Sequence, residues 1–415
     1  MSDGPEYLPR LADAPLSELL ADASAVLVTG PRAAGKTTTA RRFAAEVVEL
    51  DRPGSAAVFH ADPDAALLGR QEPLLLDEWQ AFPGVLGAVK RAVDRDPRPG
   101  RFILTGSVRA HLLGESWPGT GRLIRLPMSV LTAREVDRRN LSRPSFLERL
   151  ARRELAQPPR ASALTVVDYA ELSIQGWFPE VVAARTPRGR FAWLNSYVEQ
   201  LVTRDAAVLA RGGDPVKLGA YFTAVALNTA GIPAASSLYQ RVGITAKTAA
   251  RYDQLLTDLG VEAQVPAWSA NRLQRLEKRA KRYVVDGGLA AAAGGFDLEA
   301  LLADGELLGR MIDTLVFAQV APEAALAVHP VRLHHLRTAG GREEIDLLAE
   351  MPGGRVAAIE VKASAAVGRR DARHLVWLRD RLGDRFAAGV VLHTGPDVFE
   401  LDDRVMAAPI STIWT

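Results

Sequence analysis

The chain has 415 residues, 48% hydrophobic and 24% charged, with a formal net charge of +2, the balance of a globular protein with more than one core. It contains no cysteine, which excludes a disulfide framework, a zinc knuckle and a thiol nucleophile and fits a reducing cytoplasm. So small a net charge confines any nucleic-acid surface to a local patch; MSDGPEYLPR lacks the basic start and apolar core of a secretory signal, and no apolar run is long enough to span a bilayer.

Arginine supplies nearly all the positive charge, because lysine occurs only seven times. One of the seven lies in residues 25–40, AVLVTGPRAAGKTTTA. Ala25–Val28 predicts a short buried strand, and Gly30-Pro31-Arg32-Ala33-Ala34-Gly35-Lys36-Thr37 satisfies G-x-x-x-x-G-K-[ST]. Such a loop turns successive N–H groups toward phosphate oxygens, with Lys36 reaching the β- and γ-phosphates and Thr37 offering a hydroxyl to Mg²⁺. The spacing predicts a helix over 38–48, beginning at Thr38. Residues 55–64, SAAVFHADPD, read as a second strand ending in Asp62. PLLLDEWQ, 73–80, reads as a buried strand ending in Asp77-Glu78, with Asp77 for the magnesium shell and Glu78 to polarise water. RFILTGS, 101–107, predicts a strand whose polar end offers Thr105 and Ser107, of which Ser107 is the chosen sensor of the γ-phosphate. Arg122, in a Gly-Arg step, is read either as a charge-stabilising finger, in cis or across a subunit boundary, or as a surface arginine.

GPRAAGKT, LLLDE, FILTGS and GR…LPMS together resemble the prokaryotic AAA-type ATPases whose carboxyl half is a domain of unassigned function. The resemblance continues through WFPE (177–180), YVEQLVTRD (197–205), YVVDGGLAAA (283–292) and VVLHTG (390–395). It implies ATP and Mg²⁺ as cofactors. The chain departs from the family pattern at Gln175-Gly176-Trp177, where Gly-Gly is usual before the aromatic-Pro-Glu.

Residues 130–155 are Arg-rich and helical in pattern, with polar breaks at 140–144. Further on, AASSLYQRVGITAKTAARYDQLLTDLG (234–260) predicts a helix-turn-helix about Gly243, with Thr245 starting the second helix. Lys247, Thr248 and Arg251 fall on its exposed side, where DNA readers present contacts; Leu255, Leu256 and Leu259 form the packing stripe. The run NRLQRLEKRAKR (271–282) carries six cations and one acid. It reads either as a wing gripping phosphates or as a solvated hairpin beside a helix pair that mediates protein packing.

Residues 343–364, EEIDLLAEMPGGRVAAIEVKAS, predict a β-hairpin about Pro-Gly-Gly. A loop at 351–355 sets Glu350 against Val356, Asp346 against Glu360 and Glu344 against Lys362, with Ile345, Leu347, Ile359 and Val361 on the other face. Facing carboxylates need neutralising, and Mg²⁺ would do it, with Lys362 beside it; a plain cross-strand ion pair is the alternative. The D…E-x-K arrangement resembles the restriction-endonuclease-like core. That resemblance assigns a further acid to the helix GRMIDTLVFAQV (309–320), where Asp313 stands in place of the usual glutamate and Gln319 in place of another. VGRRDARHLVWLRDRLG predicts an amphipathic helix and RFAAGVVLHTG a buried strand. The histidines show no zinc spacing.

The expected class is α/β in three parts: a P-loop NTPase domain with a parallel sheet at 1–135, a central helical, winged-helix region at 136–295, and a small restriction-endonuclease-like α/β domain at 296–415. The leading reading is an ATP-driven protein acting on or near DNA or RNA, able to oligomerise and without a membrane partner. The rivals are an ATP-gated switch or scaffold whose last domain binds a partner protein, and a small-molecule kinase.

Overall fold

Ala25–Thr29, a run without charge, forms β1: parallel neighbours pair both its edges, and Ala25–Val28 are buried. The computed structural model describes residues 7–106, 121–138, 141–159, 163–205, 214–271, 275 and 278–415. The chain folds as two units, Met1–Leu131 with Asp258–Val261, and Thr132–Thr257 with Glu262–Thr415. Among the described residues no helix is long and apolar enough to cross a membrane.

In the first unit α1 (Asp13–Asp22) precedes β1. Then come α2 (Lys36–Arg41), β2 (Glu46–Glu49), α3 (Pro53–Ala61), β3 (Leu74–Asp77), α4 (Val85–Arg95), β4 (Phe102–Gly106) and β5 (Ile124–Pro127). The sheet is parallel throughout, in the order β2-β3-β4-β1-β5. Leu74, Leu76, Phe102 and Leu104 join Val85, Leu86, Val89 and Val93 of α4 in one core, each such side chain contributing about 1.5–3 kcal/mol on burial. Two expectations are corrected here. The helix foreseen over 38–48 stops at Arg41, and Glu46–Glu49 instead pairs with Leu74–Asp77 as an edge strand. Its Glu-Val-Val-Glu suits a strand, since β-branched side chains are restricted in a helix. Residues 55–64, foreseen as a strand, fall largely in α3 (Pro53–Ala61): Pro53 fits the first helical turn, and Ala56 and Phe59 make one buried stripe at helical spacing.

In the second unit short helices follow one another: α5 (Ala133–Asp137), α6 (Phe146–Arg152), α7 (Val166–Ile174), α8 (Pro179–Ala183) and α9 (Pro187–Gln200). Thr132/Glu135, Ser145/Glu148 and Thr165/Asp168 cap three of them reciprocally. Next come α10 (Pro215–Leu227), α11 (Ala235–Val242), α12 (Ala246–Asp258) and a two-stranded ribbon, β6 (Glu262–Val265) with β7 (Lys281–Val284). After α13 (Gly287–Gly294) and α14 (Leu298–Ala303), the helix α15 (Gly305–Leu326) leads into a six-stranded sheet. Its strands are β8 (Arg332–Arg337), β9 (Glu344–Glu350), β10 (Val356–Val361), β11 (Phe386–His393), β12 (Phe399–Asp402) and β13 (Val405–Pro409), with α16 (Arg373–Leu382) crossing from β10 to β11. The order is β12-β13-β11-β10-β9-β8. β8, β9 and β10 form an antiparallel meander, and β10, β11 and β13 run parallel.

The β9–β10 hairpin pairs Glu350 with Val356, as the loop length requires, and the ladder runs to Leu347/Ile359. Beyond that the strands part. The Asp346 carboxylate accepts the Val361 N–H at 2.9 Å, and the Lys362 N–H turns to Leu392 O on β11. Glu344 therefore faces Arg337 of β8 and not Lys362, a correction to the foreseen pairing.

The WFPE and DGG motifs hold each other. The buried Asp286 carboxylate accepts the N–H of Trp177 (2.6 Å) and of Leu289 (2.7 Å). A Cβ on Gly287 would lie 1.8 Å from Ser173 O, so the backbones meet where only glycine fits.

Candidate functional site

The phosphate loop bends by three positive φ angles, at Gly30 (155°), Ala33 (56°) and Gly35 (89°). A Cβ on Gly30 would sit 1.9 Å from the Met128 carbonyl oxygen, which fixes glycine there. Pro31 and Ala34 are buried, Arg32 is half-buried, and Thr38 is exposed on α2. Lys36 is only 5% exposed, and its Nζ donates to Pro31 O (2.7 Å) and Gly30 O (3.1 Å). Burial pulls its pKa down to about 8, against the opposing charges of Glu78 and Asp77.

Asp77 is the hub. Thr37 Oγ1 donates to its Oδ1 at 2.7 Å, and the fully buried Thr105 hydroxyl donates to the same oxygen. Glu78, next along the chain, is held at φ 54° and takes a hydrogen bond from the Gln80 amide. Burial raises its pKa, with Lys36 pulling back, so its carboxylate is a stronger base than one in water. Thr37 and Asp77 are hard-oxygen donors at one edge of a parallel sheet, and they fit a magnesium ion carried by a polyphosphate. Sequence reasoning chose Ser107 over Thr105 as the polar strand-end residue; Ser107 lies outside the described residues, and Thr105 contacts Asp77.

Arg122 does not join this group. It ion-pairs with Asp94 at 2.8 Å. Asp94 lies in the last turn of α4, and Arg122 precedes β5, which runs parallel to β1. Both therefore lie at the amino edge of the sheet, the phosphate loop at its carboxyl edge, about 13 Å away at roughly 3.3 Å per strand residue. The finger in cis is thus corrected: strand direction puts Arg122 out of reach of its own loop.

The carboxylates of the second unit are also differently arranged from expectation. Asp313 and Asp346 are bridged by an ammonium group: Lys281 Nζ stands 2.5 Å from Asp313 Oδ2 and 2.8 Å from Asp346 Oδ1. Tyr283 OH donates to Asp313 Oδ1 at 3.0 Å. Glu360 binds Lys362 through Oε1 at 2.7 Å, and its Oε2 is buried without a partner among the described residues. Burial lifts Asp313 to about 7 and, helped by the charge of Asp346, Glu360 to about 8. Burial also pushes Asp346 up, but Lys281 outweighs it and holds that carboxyl below the usual range. Among the described residues no group of three or more His, Asp or Glu is placed to hold a metal ion. Magnesium held by Asp313, Asp346 and Glu360 is therefore corrected: a lysine stands between two of the three acids.

Lys247 and Arg251 are exposed on α12, and Thr248, half-buried, shares the N-terminal turn with Thr245, whose Oγ1 accepts its N–H at 3.2 Å. Three of the six cations of the run 271–282 are turned inward. Arg275 grips Glu350 through two bonds (2.7 and 3.1 Å), and Arg282 bonds Glu262 and Asp253 (2.6 and 2.5 Å). With Lys281 also buried, Lys278 and Arg279 are the exposed cations of the run among the described residues. Arg272 falls outside them. A six-cation phosphate grip is therefore corrected to a ribbon tied to its own fold.

Residues 22–137 match the family model of an AAA domain. Residues 166–300 and 308–413 match two models described as domains of unknown function, DUF8612 and DUF4143. Strand order, phosphate loop and family match together define the first unit as an AAA-type P-loop domain, a class that binds nucleotides. Over the whole chain, the uncharacterized protein Rv2008c of Mycobacterium tuberculosis is 29% identical, the similarity covering 98% of this chain and 84% of that protein. The uncharacterized protein Mb2031c of Mycobacterium bovis matches equally, at 29%. Among solved structures, the Walker-type ATPase PABY2304 of Pyrococcus abyssi overlaps with a TM-score of 0.41 and 13% identity, over 68% of this chain and 94% of its own. The DNA clamp loader delta protein of Bacillus subtilis (YqeN) overlaps at 0.23 and 11%, over 72% and 99%. Overlaps so low say nothing of activity.

Proposed function

We propose that the protein binds ATP with Mg²⁺ at Gly30–Thr38 and Asp77, hydrolyses it with Glu78 as the base that orients water, and couples the cycle to work on or near nucleic acid. The observation that carries the hydrolytic part is the placement of Glu78. It follows the residue that binds Thr37, its pKa is raised by burial, and it lies within the electrostatic reach of Lys36. Bound magnesium would neutralise phosphate oxygens; the chain's part is to hold the phosphates with loop amides and Lys36, and to take a proton at the Glu78 carboxylate. A kinase would need a second substrate at that carboxylate, whereas water needs none.

The experiment is Glu78→Gln. It keeps nucleotide affinity and lowers phosphate release by a factor of about 10²–10⁴, the usual weight of a general base. Turnover equal to wild type would remove Glu78 from this role.

For the second unit we favour binding over cutting. α15, the β8–β10 meander, α16 and β11 follow one another as in an endonuclease-like core, yet Lys281 stands between the acids that would do the chemistry. Lys247 and Arg251 support contact with phosphates along α12.

A further inference from the structure

We propose that Lys281 is a built-in cation that closes a divalent-metal site formed by Asp313, Asp346 and Glu360, so that removing its ammonium group opens that site to Mg²⁺ or Mn²⁺. The inference concerns the second unit and stands apart from the nucleotide site.

Three carboxylates and two ammonium groups are gathered here; Lys281, Asp313 and Glu360 are shut from water, while Asp346 and Lys362 are part-exposed. Lys281 is 3% exposed, Asp313 and Glu360 6% each. The acids come from separate elements, Asp313 from α15, Asp346 from β9 and Glu360 from β10, while the cation comes from β7 of the ribbon. Lys281 and Tyr283 are two apart on that strand, so both point from one face, and both end on Asp313.

All four oxygens of the two aspartates are taken by protein donors. Asp313 uses Oδ2 for Lys281 and Oδ1 for Tyr283; Asp346 uses Oδ1 for Lys281 and Oδ2 for the Val361 N–H. Lys281 thus bridges two carboxylates as a hard cation would, but spends lone pairs a metal needs and repels a second positive charge. The independent sign of a missing ligand is Glu360. It is buried, its Oε1 is held by Lys362, and its Oε2 meets no partner among the described residues. Asp346 accepts the N–H of Val361, the next residue along β10, and Asp346, Lys362 and Lys281 all act on the Glu360 charge, so Glu360 belongs to the same cluster. One ammonium group satisfies two of the acids and leaves the third short.

Removing Lys281 leaves Asp313, Asp346 and Glu360 with Lys362 as the only cation of the cluster. That charge and donor set is what a divalent ion takes.

The test counts Mn²⁺ bound to the full-length protein, without nucleotide, by electron paramagnetic resonance of the free ion. Wild type, Asp346→Asn, Lys281→Ala and the double variant Lys281→Ala/Asp346→Asn are compared, so that ions at Thr37 and Asp77 cancel. We expect wild type and Asp346→Asn to bind equally, Lys281→Ala to gain one ion, and the double variant to lose it again. A wild-type ion that Asp346→Asn removes would overturn the proposal. So would a cooperatively melting Lys281→Ala that gains none. If Lys281→Ala does not fold in metal-free buffer, it is refolded with and without Mn²⁺: rescue by the ion, absent in the double variant, supports the proposal, and failure in both overturns it.

Discussion

Replacing Thr105 by Val tests whether Asp77 is organised by hydroxyl donors. Valine has almost the volume of threonine, so the site keeps its packing and loses one O–H. Thr105 is fully buried, and its hydroxyl and that of Thr37 both donate to Asp77 Oδ1. A hydrogen bond to a charged group contributes about 1.5–3 kcal/mol, and the two donors share one oxygen, so we expect about 2 kcal/mol of stability lost. The assay is urea unfolding of the nucleotide-free protein, with Thr105→Ser as control. Serine keeps the donor and loses a methyl group, costing about 0.5–1.5 kcal/mol as small core truncations do. Magnesium-dependent nucleotide affinity should fall several-fold in Thr105→Val and hold in Thr105→Ser, because among the described residues Thr105 is Asp77's remaining side-chain donor when Thr37 turns to a metal. A Thr105→Ser loss as large as that of Thr105→Val would show that the side chain acts by filling space, and the reasoning would be refuted.

Lys36 gives a pH dependence. Its value of about 8 in the folded protein means that the amine is charged below pH 8 and neutral above it. Phosphate binds the charged form, so affinity should be level below about pH 7 and fall up to tenfold per unit above about pH 8, with a proton taken up on binding. Calorimetry in buffers of different ionisation heats reads that proton, and Lys36→Arg should abolish the dependence. On the second unit, Lys247→Ala and Arg251→Ala should each lower the salt slope of DNA binding by about one. Arg275→Ala should leave the slope alone while destabilising the fold, because its guanidinium is already held by Glu350; fluorescence anisotropy across a salt series separates the two outcomes.

The phosphate loop was legible because its chemistry is contiguous: eight successive residues set the turn, the amine and the hydroxyl. Asp77 and Glu78 followed from an apolar strand that ends in acids. The hairpin register from Glu350 to Leu347 was legible too, since loop length dictates it. What failed needed contacts between distant segments. Residues 46–49, foreseen as helix, and 55–61, foreseen as strand, were exchanged in type because short apolar runs carry no decisive period. Arg122 looked available for the nucleotide until strand direction put it at the far edge. Lys281 was hidden within a run of charges that reads as solvated. A signal did exist: Lys281-Arg282-Tyr283-Val284 sets an apolar residue two positions after each base, on the same strand face, just before the buried DGG, and lysine is scarce in this chain. Pattern alone could not say that the strand ends against two aspartates some 30 and 65 residues further along.

The claim on which the rest depends is that the amides and Lys36 of the first unit enclose a nucleotide's phosphates. Titrating ATP and Mg²⁺ into the purified protein by calorimetry measures this directly. We predict one site per chain in wild type and no saturable heat in Lys36→Ala of equal melting temperature. A folded wild-type protein that gives no heat, or a Lys36→Ala that binds as wild type does, would contradict it.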